Sequence, residues 1–384
     1  MTAPSSLVDL DDVDALLAAD VDGTLRFAAL GGAQIRATAA AVHENALSRL
    51  HGMQPRSVVL VSGDGSASRA AELTQAAVGN RVGVPVLGSV GTPPWVGPLD
   101  VVVVAGDDAG DPRLVEAVDS ALRRGAEVVV VAPDEGPMRA AGAGRALILP
   151  PRVAVPDHHG LLRYLAAFLA VLVAVEAERS SRIIPDLDRL ADAVDAEAVR
   201  NHPSNEVFHN PAKSLAARMQ GRRVVLTGDS RTTALVARHG SETLLRVGAG
   251  VAVATDLPDA VSGVRTFPAA AAAGYDPFFH DEDLDGPAPA PAVRVIVLAF
   301  DANRAAVERR VAALPDVDVV VVDGNDAVPD LSASGLAASE LSVPDLSASG
   351  PPGSGGARTD LEQLALLVGR LEMSAAYLRL IGGN

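Results

Sequence analysis

VVLVSGDGSASRAAE, residues 58–72, is the stretch that decides how this chain is expected to fold. Its first four residues are apolar and mostly β-branched, a pattern that predicts a short buried strand. A turn with two glycines follows, and the alanine-rich run after it predicts a helix. Such a unit leaves backbone N–H groups unpaired at the carboxyl edge of a parallel sheet, where anions bind. An ordinary strand–helix connection would carry the same small residues, so the stretch alone leaves both interpretations open.

Two long segments of the chain alternate between strand and helix patterns. Residues 56–156 contain the stretch above and a second apolar strand pattern at 101–105. Residues 201–323 repeat the alternation, with strand patterns at 224–227 and 293–299. This alternation is typical of parallel sheets with right-handed crossovers. We therefore predict an α/β protein with two similar doubly wound parallel-sheet domains.

The remaining segments set the predicted domain boundaries. Residues 1–160 are expected to form the first domain together with N-terminal helices, and 161–200 a helical bridge. Residues 201–323 and 360–384 are expected to form the second domain. Between them, residues 324–359 contain VPDLSASG twice and are rich in Pro, Ser and Gly. That composition predicts a disordered insertion, because it buries too little apolar surface to offset the entropy of ordering.

Composition and charge exclude several classes of function. The 384 residues carry a formal net charge of -16, which argues against a nucleic acid or an anionic membrane surface as partner. The chain has no cysteine, so disulfides, thiol nucleophiles and thiolate zinc sites are excluded. The apolar run 165–175 is too short to span a bilayer and predicts a buried helix. The acidic N-terminus has no secretory signal, so we expect a cytoplasmic protein without membrane contact.

DVDGTL at residues 20–25 suggests an alternative function. It matches the DxDGT motif of haloacid-dehalogenase-like phosphatases, in which Asp20 would attack phosphate and both Asp20 and Asp22 would hold magnesium. That chemistry needs the motif at the end of a buried strand. Here the residues before Asp20 continue a helical pattern, and the lysine and acid pair expected downstream do not occur in the right order. A magnesium-dependent phosphatase remains an alternative.

Several stretches in order along the chain resemble one family. Residues 58–140, with RRGAEVVVVAPDEGPM at 123–138, resemble a sugar isomerase (SIS) domain. More specifically, the chain resembles the bifunctional phosphoglucose/phosphomannose isomerases, as a divergent member of actinobacterial type. PRVAVP at 151–156 is similar to that family's PRxAxP segment, and NPAKSLA at 210–216 to the AK-x-LA helix that opens its second half. The leucine-rich C-terminal helix resembles the family's last helix.

The resemblance implies a fold and a chemistry. It implies two SIS-type doubly wound domains joined by a helical bridge, assembled as a homodimer that binds a hexose 6-phosphate. In that family, hydroxyls from two loops hold the phosphate. A glutamate moves a proton between C1 and C2, and a histidine from the partner subunit assists ring opening. An arginine and a lysine support binding and developing negative charge. Neither a metal nor another cofactor is expected.

Carried over residue by residue, the resemblance assigns only part of a site. Gly63, Gly65 and Ser66 fall on the first phosphate loop, and Arg152 falls on the family's arginine. The second phosphate loop should be rich in hydroxyls, but residues 105–110 have two aspartates there. A carboxylate at partly buried distances would repel phosphate by a few kcal/mol. The phosphate-binding set is therefore incomplete.

The proton-transfer motifs are missing as well. The base motif should fall near residues 244–246, about seven residues after Arg238, and no glutamate is present there. Glu242 is close but out of register, and is the one candidate for the catalytic base. The histidine motif and the C-terminal lysine have no counterpart. These departures predict degraded catalytic motifs on a sugar-phosphate scaffold.

Alternative interpretations of the candidate residues stay open. Arg152 could simply pair with an acid, and Ser66 could cap a helix. The pair His158 and His159 is expected to be exposed capping material at a helix start. His280 lies in an acidic turn that could attract a cation, although a solvated loop is the expected setting.

Three functional hypotheses follow. The first is a hexose 6-phosphate isomerase of the phosphoglucose/phosphomannose type with a rewired site. The second is a catalytically inactive relative that binds a sugar derivative or regulates a partner in mannose or nucleotide-sugar metabolism. The third is the phosphatase of the DVDGTL motif.

Overall fold

The computed structural model describes residues 8–266, 292–322 and 358–382. The predicted disordered insertion lies outside the described residues except for its last two positions, and His280 lies outside them too.

About half of the described residues lie in α-helices. They are α1 (Val13–Ala19), α2 (Thr24–Ala28), α3 (Gly31–His43), α4 (Ser66–Val78), α5 (Pro112–Arg123), α6 (Gly136–Gly142), α7 (Leu161–Val175), α8 (Ala177–Ser180), α9 (Leu187–Arg200), α10 (Pro211–Met219), α11 (Arg231–Arg246), α12 (Leu257–Val264), α13 (Arg304–Val311) and α14 (Asp360–Leu380). A short 3-10 turn, Asp157–His159, precedes α7.

The described strands form two parallel sheets. The first contains β1 (Ser57–Ser62), β2 (Val86–Ser89), β3 (Asp100–Ala105), β4 (Glu127–Val131) and β5 (Leu147–Ile148), in the order β2-β1-β3-β4-β5. The second contains β6 (Arg223–Gly228), β7 (Ala252–Ala254), β8 (Val293–Leu298) and β9 (Val317–Val320), in the order β7-β6-β8-β9. Every pairing is parallel. The prediction of two doubly wound parallel sheets is confirmed.

The two sheets share one hydrophobic core. Residues on one face of each sheet, such as Leu60 and Leu226, belong to the same buried cluster as helices α7 and α14. This explains why α7 is apolar all round, because it is buried on nearly every side. No helix of the described residues combines the length and apolar character needed to cross a membrane. The outer face of each sheet packs against its own helices and forms a separate cluster.

Element bounds mostly agree with the sequence patterns, with two clear differences. The sequence pattern at residues 232–238 predicts a short helix, but α11 continues to Arg246, because Gly240 in its interior serves packing and does not end the helix. A Cβ at Gly240 would lie 2.9 Å from Cδ1 of Leu371 on α14, so the glycine lets the two helices approach closely. The second difference is α12, which the sequence patterns did not predict.

The DVDGTL stretch lies between two helices and not at a strand end. Asp20 ends α1, and its carboxylate accepts hydrogen bonds from the backbone N–H groups of Thr24 (2.7 Å) and Leu25 (3.1 Å) at the start of α2. Asp22 is paired with Arg379 of α14. Both carboxylates are therefore structural, and the setting that phosphatase chemistry requires is absent. The phosphatase hypothesis is wrong on this ground.

Lys213, the chain's one lysine, is fully buried in α10. Its ammonium donates to the backbone carbonyls of Pro203 (2.7 Å) and Asn205 (2.8 Å) and lies 5.7 Å from the ring centroid of Tyr377. Burial lowers the pKa of Lys213. The side chain therefore ties the loop before α10 to the core.

We predict that Lys213→Met destabilises the fold. The substitution keeps the volume but leaves two carbonyl acceptors without a donor, which costs about 1–3 kcal/mol. Arg218→Met on the same helix is the control, since its ion pair with Asp318 (3.4 Å) is partly exposed and contributes less than about 1 kcal/mol. Urea-unfolding midpoints measure both. Equal midpoints for the two variants would contradict the structural role of Lys213.

Candidate functional site

The candidate site lies where the strand order of the first sheet reverses. The chain leaves β1 for β2 on one side, and β3 adds on the other side of β1. Ligands of doubly wound sheets bind at the carboxyl ends of the strands at this point. The two loops there run side by side, since Gly63 N–H donates to Ala105 O (2.8 Å). We use the name switch crevice for the region where these loops meet the 3-10 turn, which comprises residues 63–66, 106–108 and 157–158 and is joined by the contact between Ser66 and Asp157.

The first loop leads into α4, whose N-terminus lies at the switch crevice and has no side-chain cap. Gly65 has φ 74° and precedes α4, and no side chain caps the helix there. Ser66 is not a helix cap, because its hydroxyl donates to the backbone carbonyl of Asp157 (2.7 Å). The first-turn N–H groups of this 13-residue helix therefore face the crevice without a side-chain acceptor. Gly63, Gly65 and Ser66 lie on this loop, and their role in substrate binding stays a prediction.

The second loop carries the carboxylates that the sequence placed there. Asp107 accepts hydrogen bonds from Arg163 (2.8 Å) and from the hydroxyl of Tyr164 (2.6 Å). Burial nevertheless raises the pKa of Asp107, outweighing these two partners. Burial is also the main reason that the pKa of Tyr164 is raised. The carboxylate that would repel a phosphate is therefore held by a guanidinium and is easier to protonate than an exposed aspartate.

An arginine from the second domain reaches into the switch crevice. Arg246 ends α11, and its Nη2 lies 2.6 Å from Oδ2 of Asp157. Its Nη1 would lie 3.9 Å from a Cβ at Gly65, so the guanidinium stands beside the uncapped start of α4. Arg246 is the last residue of the range, residues 244–246, near which the resemblance places the catalytic base. The motif spacing pointed to this part of α11. The neighbouring residues gave no sign that the Arg246 side chain contacts Asp157 of the first domain.

His158 is a partly exposed imidazole on the turn that Arg246 holds. Its ring nitrogens make no hydrogen bond to the described residues, and Nδ1 lies 3.7 Å from Oδ1 of Asp157. Burial, and then the charges of His159 and Arg246, lower the pKa of His158 to about 4. The ring is therefore neutral at pH 7. His158 was predicted to be an exposed capping residue, but its side chain is only partly exposed and lies beside Asp157.

His159, predicted to be exposed, is buried at the boundary of the two domains. Its Nδ1 lies 2.7 Å from Oε2 of Glu372, and Nε2 of His239 lies 2.8 Å from Oε1 of the same carboxylate. Burial alone would raise the pKa of Glu372, but the charge and hydrogen bonds of the two histidines outweigh it and hold that pKa at about 2. The prediction for His159 was wrong because its partner is 213 residues away in the sequence.

Glu242 and Arg152 lie outside the switch crevice. Both oxygens of Glu242 accept from Nε of Arg69 (3.0 and 2.9 Å), and Arg238 lies 3.6 Å away on the same helix. These contacts join α4 to α11. Arg152 forms a bidentate salt bridge with Glu44 (2.9 and 2.6 Å) and is partly exposed. Arg152 therefore pairs with an acid, as one of the two interpretations of this residue expected. A role of Arg152 in substrate binding stays a prediction.

Within residues 8–266, 292–322 and 358–382, no three His, Cys, Asp or Glu side chains meet in a way that could hold a metal ion.

Three solved structures similar to this chain are named for sugar-phosphate enzymes. No protein-family model matches the chain, and no curated protein matches it. Tagatose-6-phosphate ketose/aldose isomerase from Escherichia coli matches with a TM-score of 0.55 and 14% identity, over 94% of this chain and 93% of that chain. The C-terminal domain of glucosamine-fructose-6-phosphate aminotransferase from Francisella tularensis gives 0.54 and 9%, over 96% and 97%. A candidate phosphosugar isomerase from Clostridium difficile 630 gives 0.57 and 9%, over 93% and 92%.

These matches and the order of the strands decide the fold. The chain has the two-domain SIS fold of the phosphosugar isomerases. At 9 to 14% identity the likeness concerns the fold alone. The predicted SIS-type fold is confirmed, while the domain boundaries and the bifunctional phosphoglucose/phosphomannose type stay predictions.

We predict that Glu372→Gln destabilises the protein in a pH-dependent way. The pKa of Glu372 is lowered from 4.5 to about 2, so its stabilising effect is fully present above pH 4.5 and is lost as pH falls toward 2. The difference in unfolding free energy from wild type should be on the order of 3 kcal/mol at pH 7 and should shrink below about pH 4. Denaturant unfolding at pH 7, 4 and 3 measures it.

Glu72→Gln is the matched control for this experiment. Its ion pair with Arg69 (3.4 Å) is partly exposed, so the loss should stay below about 1 kcal/mol. A difference between wild type and Glu372→Gln that stays constant from pH 7 to 3 would contradict the charged state assigned to Glu372.

Proposed function

We propose that the protein binds a hexose 6-phosphate in the switch crevice and is a rewired relative of the bifunctional glucose-6-phosphate/mannose-6-phosphate aldose–ketose isomerases. The observation that carries this proposal is the pairing of the uncapped start of α4 with the guanidinium of Arg246. Backbone N–H groups, a helix dipole and a cation at one point suit a phosphate dianion. The solved structures with this fold come from phosphosugar enzymes, which supports the same ligand class.

The charges of the crevice determine how such a ligand would lie. Asp107 already has a guanidinium partner in Arg163, so the phosphate is expected at the α4 side and the sugar hydroxyls toward the second loop. Sugar hydroxyls can donate to a carboxylate, whereas a phosphate would be repelled by it. Arg246 must leave or share Asp157 to contact the phosphate, since Asp157 is its present partner. Ligand binding should therefore loosen this one ion pair.

A second candidate is a catalytically inactive SIS-domain protein that senses a sugar phosphate or regulates a partner in mannose or nucleotide-sugar metabolism. No glutamate stands at residues 244–246, near which the resemblance places the base, and Glu242 is held by Arg69. These two observations favour a binder without turnover. The homodimer and the cytoplasmic location expected from the sequence belong to the same proposal, and light scattering of the purified chain tests the dimer.

We predict that a hexose 6-phosphate raises the melting temperature of the wild-type protein. At about 100 times the dissociation constant, the native state gains about 2.7 kcal/mol. Arg246→Gln should weaken binding by roughly 10- to 100-fold, because a charge-assisted contact contributes about 1.5–3 kcal/mol. Thermal-shift titration with glucose, mannose and fructose 6-phosphates, and with inorganic phosphate, measures both.

Arg238→Gln is the matched control for Arg246→Gln. It lies on the same helix and pairs only with acids outside the crevice, Glu72 (3.7 Å) and Glu242 (3.6 Å). It should retain the wild-type shift. No shift in the wild-type protein with any of these compounds would remove the proposed function.

Turnover separates the two candidates. Coupled assays that follow fructose 6-phosphate from glucose 6-phosphate or mannose 6-phosphate should show activity if the rewired isomerase is correct. If the folded protein shows the thermal shift but only background rates, the catalytically inactive sugar-phosphate binder is supported.

A further inference from the structure

The groups assigned to the phosphate do not by themselves select a sugar phosphate. The uncapped start of α4 and the guanidinium of Arg246 suit inorganic phosphate as well as they suit a phosphate monoester. Selection needs a further group that favours only a ligand with hydroxyls. A carboxylate beside the phosphate position has this effect, because it repels any phosphate and only a hydroxyl compensates by donating a hydrogen bond to it.

Three aspartates on the two loops of the switch crevice could supply such an acceptor. The side chain of Asp64 is 92% exposed and pairs with Arg113 (3.1 Å). Asp108 is exposed as well, and one of its oxygens accepts from the backbone N–H of Gly110 (2.7 Å) in its own loop. Asp107 differs from both, because its carboxylate contacts buried side chains of α7.

Asp107 is held through one oxygen and keeps the other available. Its Oδ1 accepts from Nη2 of Arg163 (2.8 Å) and from the hydroxyl of Tyr164 (2.6 Å). Both partners are buried, and the guanidinium of Arg163 lies 4.1 Å from the ring centroid of Tyr164. Oδ2 accepts no hydrogen bond from the described residues, and the side chain is 35% exposed. The carboxylate is therefore oriented by its neighbours, with one acceptor left for a ligand.

The packing of Tyr164 relates this carboxylate to the start of α4. A Cβ at Gly160 would lie 3.7 Å from Cβ of Ser66, the first residue of α4, and 3.4 Å from Cε2 of Tyr164. The ring that donates to Asp107 is therefore separated from the start of α4 by one glycine. Burial is the main cause of the raised pKa of Asp107, and the charge of Arg246 is among the effects that oppose it, so these two groups lie close enough to interact.

We propose that Asp107 is the specificity-determining residue of the switch crevice, and that its Oδ2 accepts a hydrogen bond from a sugar hydroxyl while the phosphate lies at the start of α4. This inference rests on the proposed function. The ligand class is then a phosphate monoester with a hydroxyl that reaches the second loop, and inorganic phosphate is the anion that Asp107 disfavours. Arg163 and Tyr164 are positioning residues, because they act through the carboxylate that they hold.

The test compares two kinds of ligand on one variant. Isothermal titration calorimetry of the full-length wild type and of Asp107→Asn measures the affinities for glucose 6-phosphate, mannose 6-phosphate and inorganic phosphate. The affinity for the hexose phosphates should fall roughly 10- to 100-fold, the usual effect of losing a hydrogen bond to a charged group. The affinity for inorganic phosphate should stay the same or rise, because a repelling charge is removed. A merely structural role of Asp107 would weaken both.

Two further variants guard against a change in folding. Tyr164→Phe keeps the charge of Asp107 and removes one of the donors that orient it, so the affinity for hexose phosphates should fall roughly 2- to 10-fold without a loss for inorganic phosphate. Asp134→Asn is the matched control. Asp134 follows β4 at the same edge of the sheet, pairs with Arg139 (3.3 Å) and lies outside the crevice, so both affinities should stay at the wild-type value.

The outcomes separate this inference from the proposed function. Wild-type affinity for hexose phosphates in Asp107→Asn, or an equal loss for both kinds of ligand, would overturn the assignment and leave the proposed function intact. A selective loss in Asp108→Asn instead of Asp107→Asn would overturn it as well. If Asp107→Asn does not fold, the same comparison on Tyr164→Phe decides. No binding of hexose phosphates by the wild type would remove both proposals together.

Discussion

The buried carboxylate of Glu372 is the contact on which the arrangement of the two domains depends. It lies on α14, which is buried along most of its length, and it receives one histidine from the first domain and one from α11. A fully buried charge is strongly unfavourable unless it is paired and hydrogen bonded. Glu372 therefore holds His159 and His239 in place, and the turn before α7 is fixed relative to the second domain.

The contact between Glu372 and His159 also affects the switch crevice, because His159 belongs to the same turn as Asp157 and His158. His159 is the neighbour of His158, and Asp157 of the same turn binds both Ser66 and Arg246. The crevice is thus assembled from three segments that are far apart in sequence, and its shape depends on domain contacts that lie behind it. A change in the packing of α14 would be expected to reach the crevice by this route.

The sequence predicted the parts of the fold that local patterns control. Residues 58–72 formed the expected strand, turn and helix, because the apolar run, the glycines and the alanine-rich run act over a few residues. The loop positions of Gly63 and Gly65 followed directly from this. The pairing of His159 with Glu372 could not be predicted, since it spans 213 residues and depends on how the two sheets pack. The motif spacing pointed to residues 244–246, but the sequence did not show that the side chain of Arg246 contacts Asp157 of the first domain.

The same distinction explains why the missing glutamate does not by itself decide against catalysis. A motif search asks whether one residue type stands at one position, and near that position, at residues 244–246, this chain has no glutamate. Chemistry asks whether an acceptor and a cation lie beside the substrate. Oδ2 of Asp107 and the ring nitrogens of His158 make no hydrogen bond to the described residues, and the charge of Arg246 acts on both side chains. The absence of a glutamate at residues 244–246 is therefore compatible with an acceptor on another segment of the crevice.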